Sequence, residues 1–153
     1  MRSVADFYQD CQAVAHAVPP LDVKLADAVS CVLAEDVQAP FNLPVADLSA
    51  CDGYAVRVRD CEGATLETPV TLPVTEEIRA GAVDPAALVP GTAIRIASGA
   101  PMPTGAEAVV SLEFTDHGIA QVALRTAPAA GENIRRRAED VAQGETVLRS
   151  GTR

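Results

Sequence analysis

Tryptophan is absent from this sequence, and aromatic residues make up only 3% of its 153 residues. The core must therefore be built from Val, Ala, Leu and Ile, which suits a packed β-sheet better than a pocket lined with aromatic rings. Cationic residues are also scarce, since 12 Lys and Arg face 21 Asp and Glu, for a formal net charge of −9. Nucleic acids and anionic membranes are bound by basic surfaces, so this composition argues against both as partners.

Two further patterns are missing. The sequence contains four cysteines, Cys11, Cys31, Cys51 and Cys61. They form no C-x-x-C pair and have no histidine at ligand spacing, so we predict no zinc or other metal site from them. No hydrophobic run reaches the length of a membrane span or a signal peptide. A cytoplasmic protein with reduced thiols is the expectation.

What the sequence contains is one amphipathic helix followed by many short segments. Apolar residues recur at three- and four-residue steps over residues 3–18, Ser3 and Asp6 are placed as a capping box, and Pro19-Pro20 ends the pattern. A short strand is expected over 21–25 and a short helix over 28–34. From about Val37 onward, frequent prolines exclude long helices.

The remaining segments predict β-structure. The strand candidates are residues 54–58, 70–74, 93–97, 108–114, 119–124, 134–136 and 146–148. Asp116-His117-Gly118 is expected to join two of them as a tight hairpin, with His117 a turn residue. The predicted fold class is mainly β with an N-terminal helix (α+β), arranged as a small barrel or sandwich.

Three segments carry polar residues in unusual settings. Asp52 precedes Gly53 at the start of an alternating strand, which is typical of an ordinary turn but also suits a catalytic carboxylate. Ser98 and Gly99 end another strand and could offer a hydroxyl and a backbone N–H to an anion; a proline-stiffened turn is the alternative.

The third segment is the arginine triplet 135–137, followed by Glu139 and Asp140. Guanidinium groups match phosphate or carboxylate with two parallel hydrogen bonds, although salt bridges on a solvated surface explain the triplet equally well. A carboxylate beside arginine stays ionised, so Asp140 is expected to act as a ligand to metal or substrate rather than as a proton donor.

These segments together resemble MoeA-type molybdopterin molybdenumtransferases, the family of the gephyrin E domain. Residues 49–56 (S-A-C-D-G-Y-A-V) resemble the family's S-A-M-D-G-Y-A-V, and residues 32–37 match V-L-A-E-D-V. Residues 98–103, with 105–110 and Glu113, are similar to T-G-A-P-x-P-x-G-x-x-A-V-V-x-x-E, and residues 133–140 with Gly144 to N-I-R-x-x-G-E-D-x-x-x-G. The sequence departs at Leu48 (usually Asn), Cys51 (Met), Ser98 (Thr) and Ala138 (Gly), and Ala138 would be strained if its φ were positive.

The resemblance implies insertion of molybdate into adenylylated molybdopterin, assisted by magnesium, in a cytoplasmic homodimer with a composite active site. By motif position it implies Asp52 and Asp140 as catalytic residues, and Ser98, Gly99, Arg136 and Arg137 as substrate-binding residues. It also implies a domain organisation: an N-terminal helix (1–20), a small β subdomain (21–38 and 145–153) and an inserted lid-like β subdomain (39–144). The family's pterin-binding α/β domain and C-terminal β domain are absent from these 153 residues.

Two hypotheses remain open. The chain is part of a complete transferase, supplies one half of the active site and is inactive alone. Alternatively, it is a stand-alone, non-catalytic module for dimerisation or partner binding.

Overall fold

The computed structural model of the protein describes residues 2–16 and 18–153. The chain forms two compact units, one of residues 1–37 with 148–153 and one of residues 38–147. Strands β1 (Val37–Gln38) and β9 (Thr146–Leu148) form a two-stranded sheet. In the part of the chain that the structure describes, no helix is both long and apolar enough to cross a membrane.

The first unit contains the predicted helix, α1 (Val4–Val14). Its capping box is confirmed, because the Ser3 hydroxyl accepts from the Asp6 N–H and the Asp6 carboxylate accepts from the Ser3 N–H, both at 3.1 Å. The predicted end at residue 18 is wrong: Ala15 is already extended, with ψ of 112°. The prolines at 19–20 disfavour helical backbone before them, and no residue of α1 is buried to hold a further turn. Ala17, within the predicted helix, lies outside the described residues.

The strand predicted over 21–25 and the helix predicted over 28–34 are both wrong. A single 3₁₀ turn, Leu25–Asp27, is followed by turns in which Ser30 has a positive φ of 72°. Most apolar side chains of this stretch are exposed, so the burial that would stabilise a short element is missing. The large exposed apolar residues here are Val18, Leu21, Val23, Leu25, Val29 and Val32.

The second unit is built on a five-stranded sheet of order β6-β3-β5-β4-β7. Its strands are β3 (Gly53–Val56), β4 (Val70–Ile78), β5 (Ala93–Ile96), β6 (Ala108–Ser111) and β7 (Gln121–Leu124). All neighbours are antiparallel except β4 and β5, which run parallel with a register shift between Val74 and Glu76. A separate two-stranded sheet pairs β2 (Leu48–Ser49) with β8 (Ile134–Arg135).

Both faces of the sheet are covered by apolar side chains. Tyr54 and Val56 of β3 join one cluster with Leu124, and the intervening Ala55 joins the opposite cluster with Ile94. Alternate residues of a strand point to opposite faces, so an uninterrupted apolar strand fits a sheet that is buried on both sides. The mainly β fold with one α-helix is thereby confirmed.

The hairpin predicted at residues 116–118 is wrong, because the two strands it was expected to join are not neighbours. Strand β6 ends at Ser111 and is followed by a 3₁₀ turn, Leu112–Phe114. Strands β6 and β7 lie at opposite edges of the sheet. A single β-bridge joins Thr115 to Leu124 where the sheet curls into a half-barrel. His117 is an exposed residue of the loop between Thr115 and β7, with a φ of 60°.

Candidate functional site

Residues 43–52, here called the site segment, join the three polar motifs. The Ser49 carbonyl accepts the Gly99 N–H at 2.8 Å, and the Ser49 N–H donates to the Ala100 carbonyl at 2.9 Å. On its other side, the Ala50 N–H donates to the Asn133 carbonyl at 2.9 Å, and β2 pairs with β8. The loop at 97–102 and the arginine segment at 133–140 are therefore held against one stretch of backbone.

Asp52 is fixed at the end of the site segment. Its Oδ1 accepts the Ser98 N–H at 2.8 Å, while the Ser98 hydroxyl donates to the Ala50 carbonyl at 3.3 Å. The carboxylate is exposed, and its second oxygen accepts no hydrogen bond from the described residues. Asp52 therefore combines a fixed orientation with an oxygen that remains available.

Gly53 follows Asp52 because no side chain fits there. A Cβ on Gly53 would lie 2.2 Å from the Val110 carbonyl oxygen. Contacts this short force the backbone apart. The close approach of β3 and β6 therefore depends on glycine and sets the position from which Asp52 projects.

The Gly99 N–H is not available to an anion in the way the sequence indicated. It is already donated to Ser49, although Gly99 has a φ of 76° and open space on its Cα. The Ser98 hydroxyl, which donates to Ala50, retains oxygen lone pairs that can accept a hydrogen bond from a ligand. Of these two residues, Ser98 offers the accessible polar group.

Asp47 is a site residue that sequence reasoning missed. Its Oδ2 accepts from Arg136 Nη1 at 2.7 Å, and its Oδ1 accepts the Arg137 N–H at 2.8 Å. The Arg137 hydrogen bond is the main reason that the pKa of Asp47 is lowered from its ordinary value, with Arg136 adding to the effect against partial desolvation. The available signal was its place five residues before Asp52 within the same polar segment.

Asp140 is held by the neighbouring arginine segment. Its Oδ2 accepts from Arg135 Nη2 at 2.6 Å, and its N–H donates to the Leu43 carbonyl at 3.0 Å. Ala138 has a positive φ of 62°, the strained conformation anticipated for the position where glycine is usual in the resembling family. The backbone of Asp140 is therefore hydrogen-bonded to the first residue of the site segment, Leu43, whereas Asp52 is the last residue of that segment.

The arginine triplet separates into two kinds of residue. Arg135 and Arg136 are paired with carboxylates, as the salt-bridge alternative proposed. Arg137 is exposed, and its guanidinium makes no ion pair within the described residues. Its side chain is the one of the three that remains available to an external anion.

A surface cleft of about 180 Å³ lies beside Asp52. Its other lining residues include Arg95 and Glu77. Among residues 2–16 and 18–153, no group of three or more His, Cys, Asp or Glu side chains could hold a metal ion.

The fold and site define a β-rich domain with carboxylates and arginines arranged around one polar backbone segment. The family model described as the MoeA N-terminal region (domain I and II) matches residues 2–153. The chain belongs to this family.

Individual relatives, both curated sequences and solved structures, carry names of the same family. The chain is 50% identical over 151 residues to molybdopterin molybdenumtransferase 2 of Mycobacterium tuberculosis, covering 99% of the chain and 37% of the relative. It is 40% identical over 135 residues to the molybdopterin molybdenumtransferase of Bacillus subtilis, covering 86% of the chain and 31% of that protein. The crystal structure of a molybdopterin biosynthesis moeA protein from Pyrococcus horikoshii OT3 matches with a TM-score of 0.78 at 40% identity, over 84% of this chain and 34% of that one. The chain thus spans about a third of the length of these relatives.

Proposed function

We propose that this chain is the N-terminal part of a molybdopterin molybdenumtransferase that inserts molybdate into adenylylated molybdopterin during molybdenum cofactor biosynthesis. It supplies one half of a composite active site, and the pterin-binding domain supplies the other. The observation that carries the proposal is the convergence of three family motifs on the site segment, residues 43–52. Alone, the chain is expected to be inactive.

The proposed roles follow from which groups are free. Asp52 presents one unbonded carboxylate oxygen beside the cleft and acts as a catalytic residue. Ser98 and Gly99 shape the adjacent loop, and the Ser98 hydroxyl contacts substrate. Asp140, which is ion-paired with Arg135 at 2.6 Å, is the second catalytic residue.

Arg136 and Arg137 flank the region where an anionic substrate is handled. Arg136 is held by Asp47 and fixes the segment, while the exposed Arg137 guanidinium reaches the substrate phosphate. The inserted β subdomain, residues 39–144, acts as a lid over the substrate in a cytoplasmic homodimer. Magnesium assists the reaction, as the family resemblance implies.

A non-catalytic module for dimerisation or partner binding is the second candidate. Helix α1 favours it, because Val4, Phe7 and Tyr8 are 87%, 60% and 62% exposed. Exposed apolar surface of this kind is typical of a surface that binds another protein or domain.

Reconstitution separates the two candidates. The chain is mixed with a separately produced pterin-binding domain of the family, and molybdenum insertion into adenylylated molybdopterin is measured. We expect activity only in the mixture, reduced at least about a hundredfold by Asp52→Asn, because the exchange removes a charge at the reacting centre. Glu67→Gln, a matched change at an exposed turn residue, should leave the rate unchanged.

An active mixture that ignores Asp52→Asn would contradict the assignment of Asp52. A folded chain that binds the pterin-binding domain but never supports insertion would favour the non-catalytic module.

A further inference from the structure

Arg95 lies on the central strand of the five-stranded sheet. It lines the cleft beside Asp52, but no role has been given to it above. It lies on β5, opposite Tyr54 on β3 and Glu77 on β4. Together with Glu77 it lines the cleft beside Asp52 and a second cleft of about 220 Å³ that reaches Ile119. The two clefts therefore share one cation.

Arg95 is half-buried and makes no ion pair with any residue that the structure describes. Its two neighbouring carboxylates bond other residues through one oxygen each: Glu77 Oε1 pairs with Arg79 at 3.3 Å, and Asp52 Oδ1 accepts the Ser98 N–H. A guanidinium carries five N–H donors. No buried side-chain nitrogen of the described residues lacks a partner, so the donors of Arg95 face solvent and are open to a ligand. The arrangement leaves Arg95 ready to receive an acceptor from outside the chain.

The surroundings of Arg95 select the kind of acceptor. A bare dianion such as molybdate or inorganic phosphate would be repelled by Asp52 and Glu77, and it has no N–H donors to offset that repulsion. A phosphate ester attached to a ring with N–H or amino donors is better matched, because its phosphate meets the guanidinium and its donors meet the carboxylates.

We propose that Arg95 is a phosphate-ester-binding residue of the cleft beside Asp52, with Asp52 and Glu77 accepting hydrogen bonds from the ligand's ring. The inference rests on the proposed function, since the substrate named there is a pterin that carries a phosphate ester. It assigns to Arg95, rather than to the arginine triplet alone, the contact that places the substrate next to Asp52.

Calorimetric titration of the chain with GMP, inorganic phosphate and molybdate tests the assignment. GMP serves as the probe because it carries one phosphate ester and a ring with N–H and amino donors. We expect GMP to bind more tightly than either inorganic anion. Arg95→Gln should weaken GMP binding at least about tenfold, and Arg95→Lys should weaken it less, because lysine keeps the charge and loses the two-pronged geometry.

Arg125→Gln is the matched control, since Arg125 is exposed and lines neither cleft. It removes the same charge and should leave GMP binding unchanged. The proposal is overturned if GMP does not bind at millimolar concentration, or if molybdate or phosphate binds as tightly as GMP. It is also overturned if Arg95→Gln binds GMP like the unaltered chain, or if Arg125→Gln weakens GMP binding as much as Arg95→Gln does. Circular dichroism verifies folding, and if Arg95→Gln does not fold, unchanged binding by Arg95→Lys overturns the proposal.

The two proposals fail in different ways. Molybdenum insertion by the reconstituted mixture together with unaltered GMP binding in Arg95→Gln would remove the role of Arg95 and keep the function. Arg95-dependent GMP binding without any molybdenum insertion would do the reverse.

Discussion

The two units of this protein carry similar apolar patterns with opposite outcomes. In the second unit, every residue of β3 is buried, with Tyr54 and Val56 at 0% exposure. In the first unit, the helical periodicity of α1 leaves Val4 87% and Val14 76% exposed, and no described residue there is buried. An apolar pattern thus specifies a surface that must pack against another apolar surface. Only the second unit contains the surface against which its strands pack.

Thiol reactivity should show the largest difference between the units. Cys11 and Cys31 are exposed in the first unit, whereas Cys61 is buried in the second, where desolvation raises the pKa of its thiol to about 11. We expect Cys61 to react with a maleimide on the order of a thousandfold more slowly, because it must wait for the unit to open. Mass spectrometry of labelled peptides over time measures the three rates. Equal rates would show that the second unit has no stable core.

Truncating one leucine in each unit gives the next largest effect. Leu124→Ala removes a side chain that is 0% exposed and should cost about 2–5 kcal/mol of unfolding free energy. Leu25→Ala removes one that is 91% exposed and should change stability by less than about 0.5 kcal/mol. Urea denaturation of both variants measures the difference. A large loss in Leu25→Ala would place that side chain in a core and break the comparison.

Acid should loosen one carboxylate contact in each unit. Hydrogen bonds lower the pKa of Asp6 through Ser3 and the pKa of Asp47 through the Arg137 N–H, both from an ordinary 3.8. Because the folded-state pKa is depressed, the stabilisation is present above 3.8 and is lost as the pH falls below it. Between pH 6 and pH 3 we expect less helix by circular dichroism and a lower urea midpoint for the second unit.

Two variants assign these acid effects. Asp47→Ala should remove the Asp47 part of the change in urea midpoint at a cost of about 1 kcal/mol at pH 6, a figure reduced for the exposure of the site. Asp6→Asn should make the helix signal in circular dichroism independent of pH over this range, and it should leave the urea midpoint of the second unit unaltered. If Asp47→Ala keeps the full acid dependence, another carboxylate is responsible.

The smallest expected effect is a gain of stability at Ala138. Its φ of 62° is left-handed backbone, so Ala138→Gly should stabilise the second unit by about 0.5–1 kcal/mol. Ala80→Gly is the control, because Ala80 has no positive φ and should lose stability through the greater freedom of the unfolded chain. Urea midpoints of the two variants should move in opposite directions, and a shared loss would contradict strain at Ala138.

Sequence pattern predicted the strands of the second unit because each strand packs against its neighbours in the same unit. It failed over residues 21–34, where local apolar periodicity meets no core and turns prevail. It also missed the positions of β6 and β7 at opposite edges, since pairing between distant strands leaves no local signal. The motif residues were found by their similarity to a family, whereas Asp47 was missed because its role appears only through Arg136 and Arg137, about ninety residues later.

The site segment has a consequence for the order of folding. Its contacts join residues separated by 46 positions at Ser98, 89 at Arg136 and 90 at Arg137. Closing loops of this length is slow compared with forming local turns, and during synthesis the arginine segment emerges after all five strands of the main sheet. The sheet can therefore assemble first as a scaffold, and the polar site closes on it only when residues 133–140 arrive.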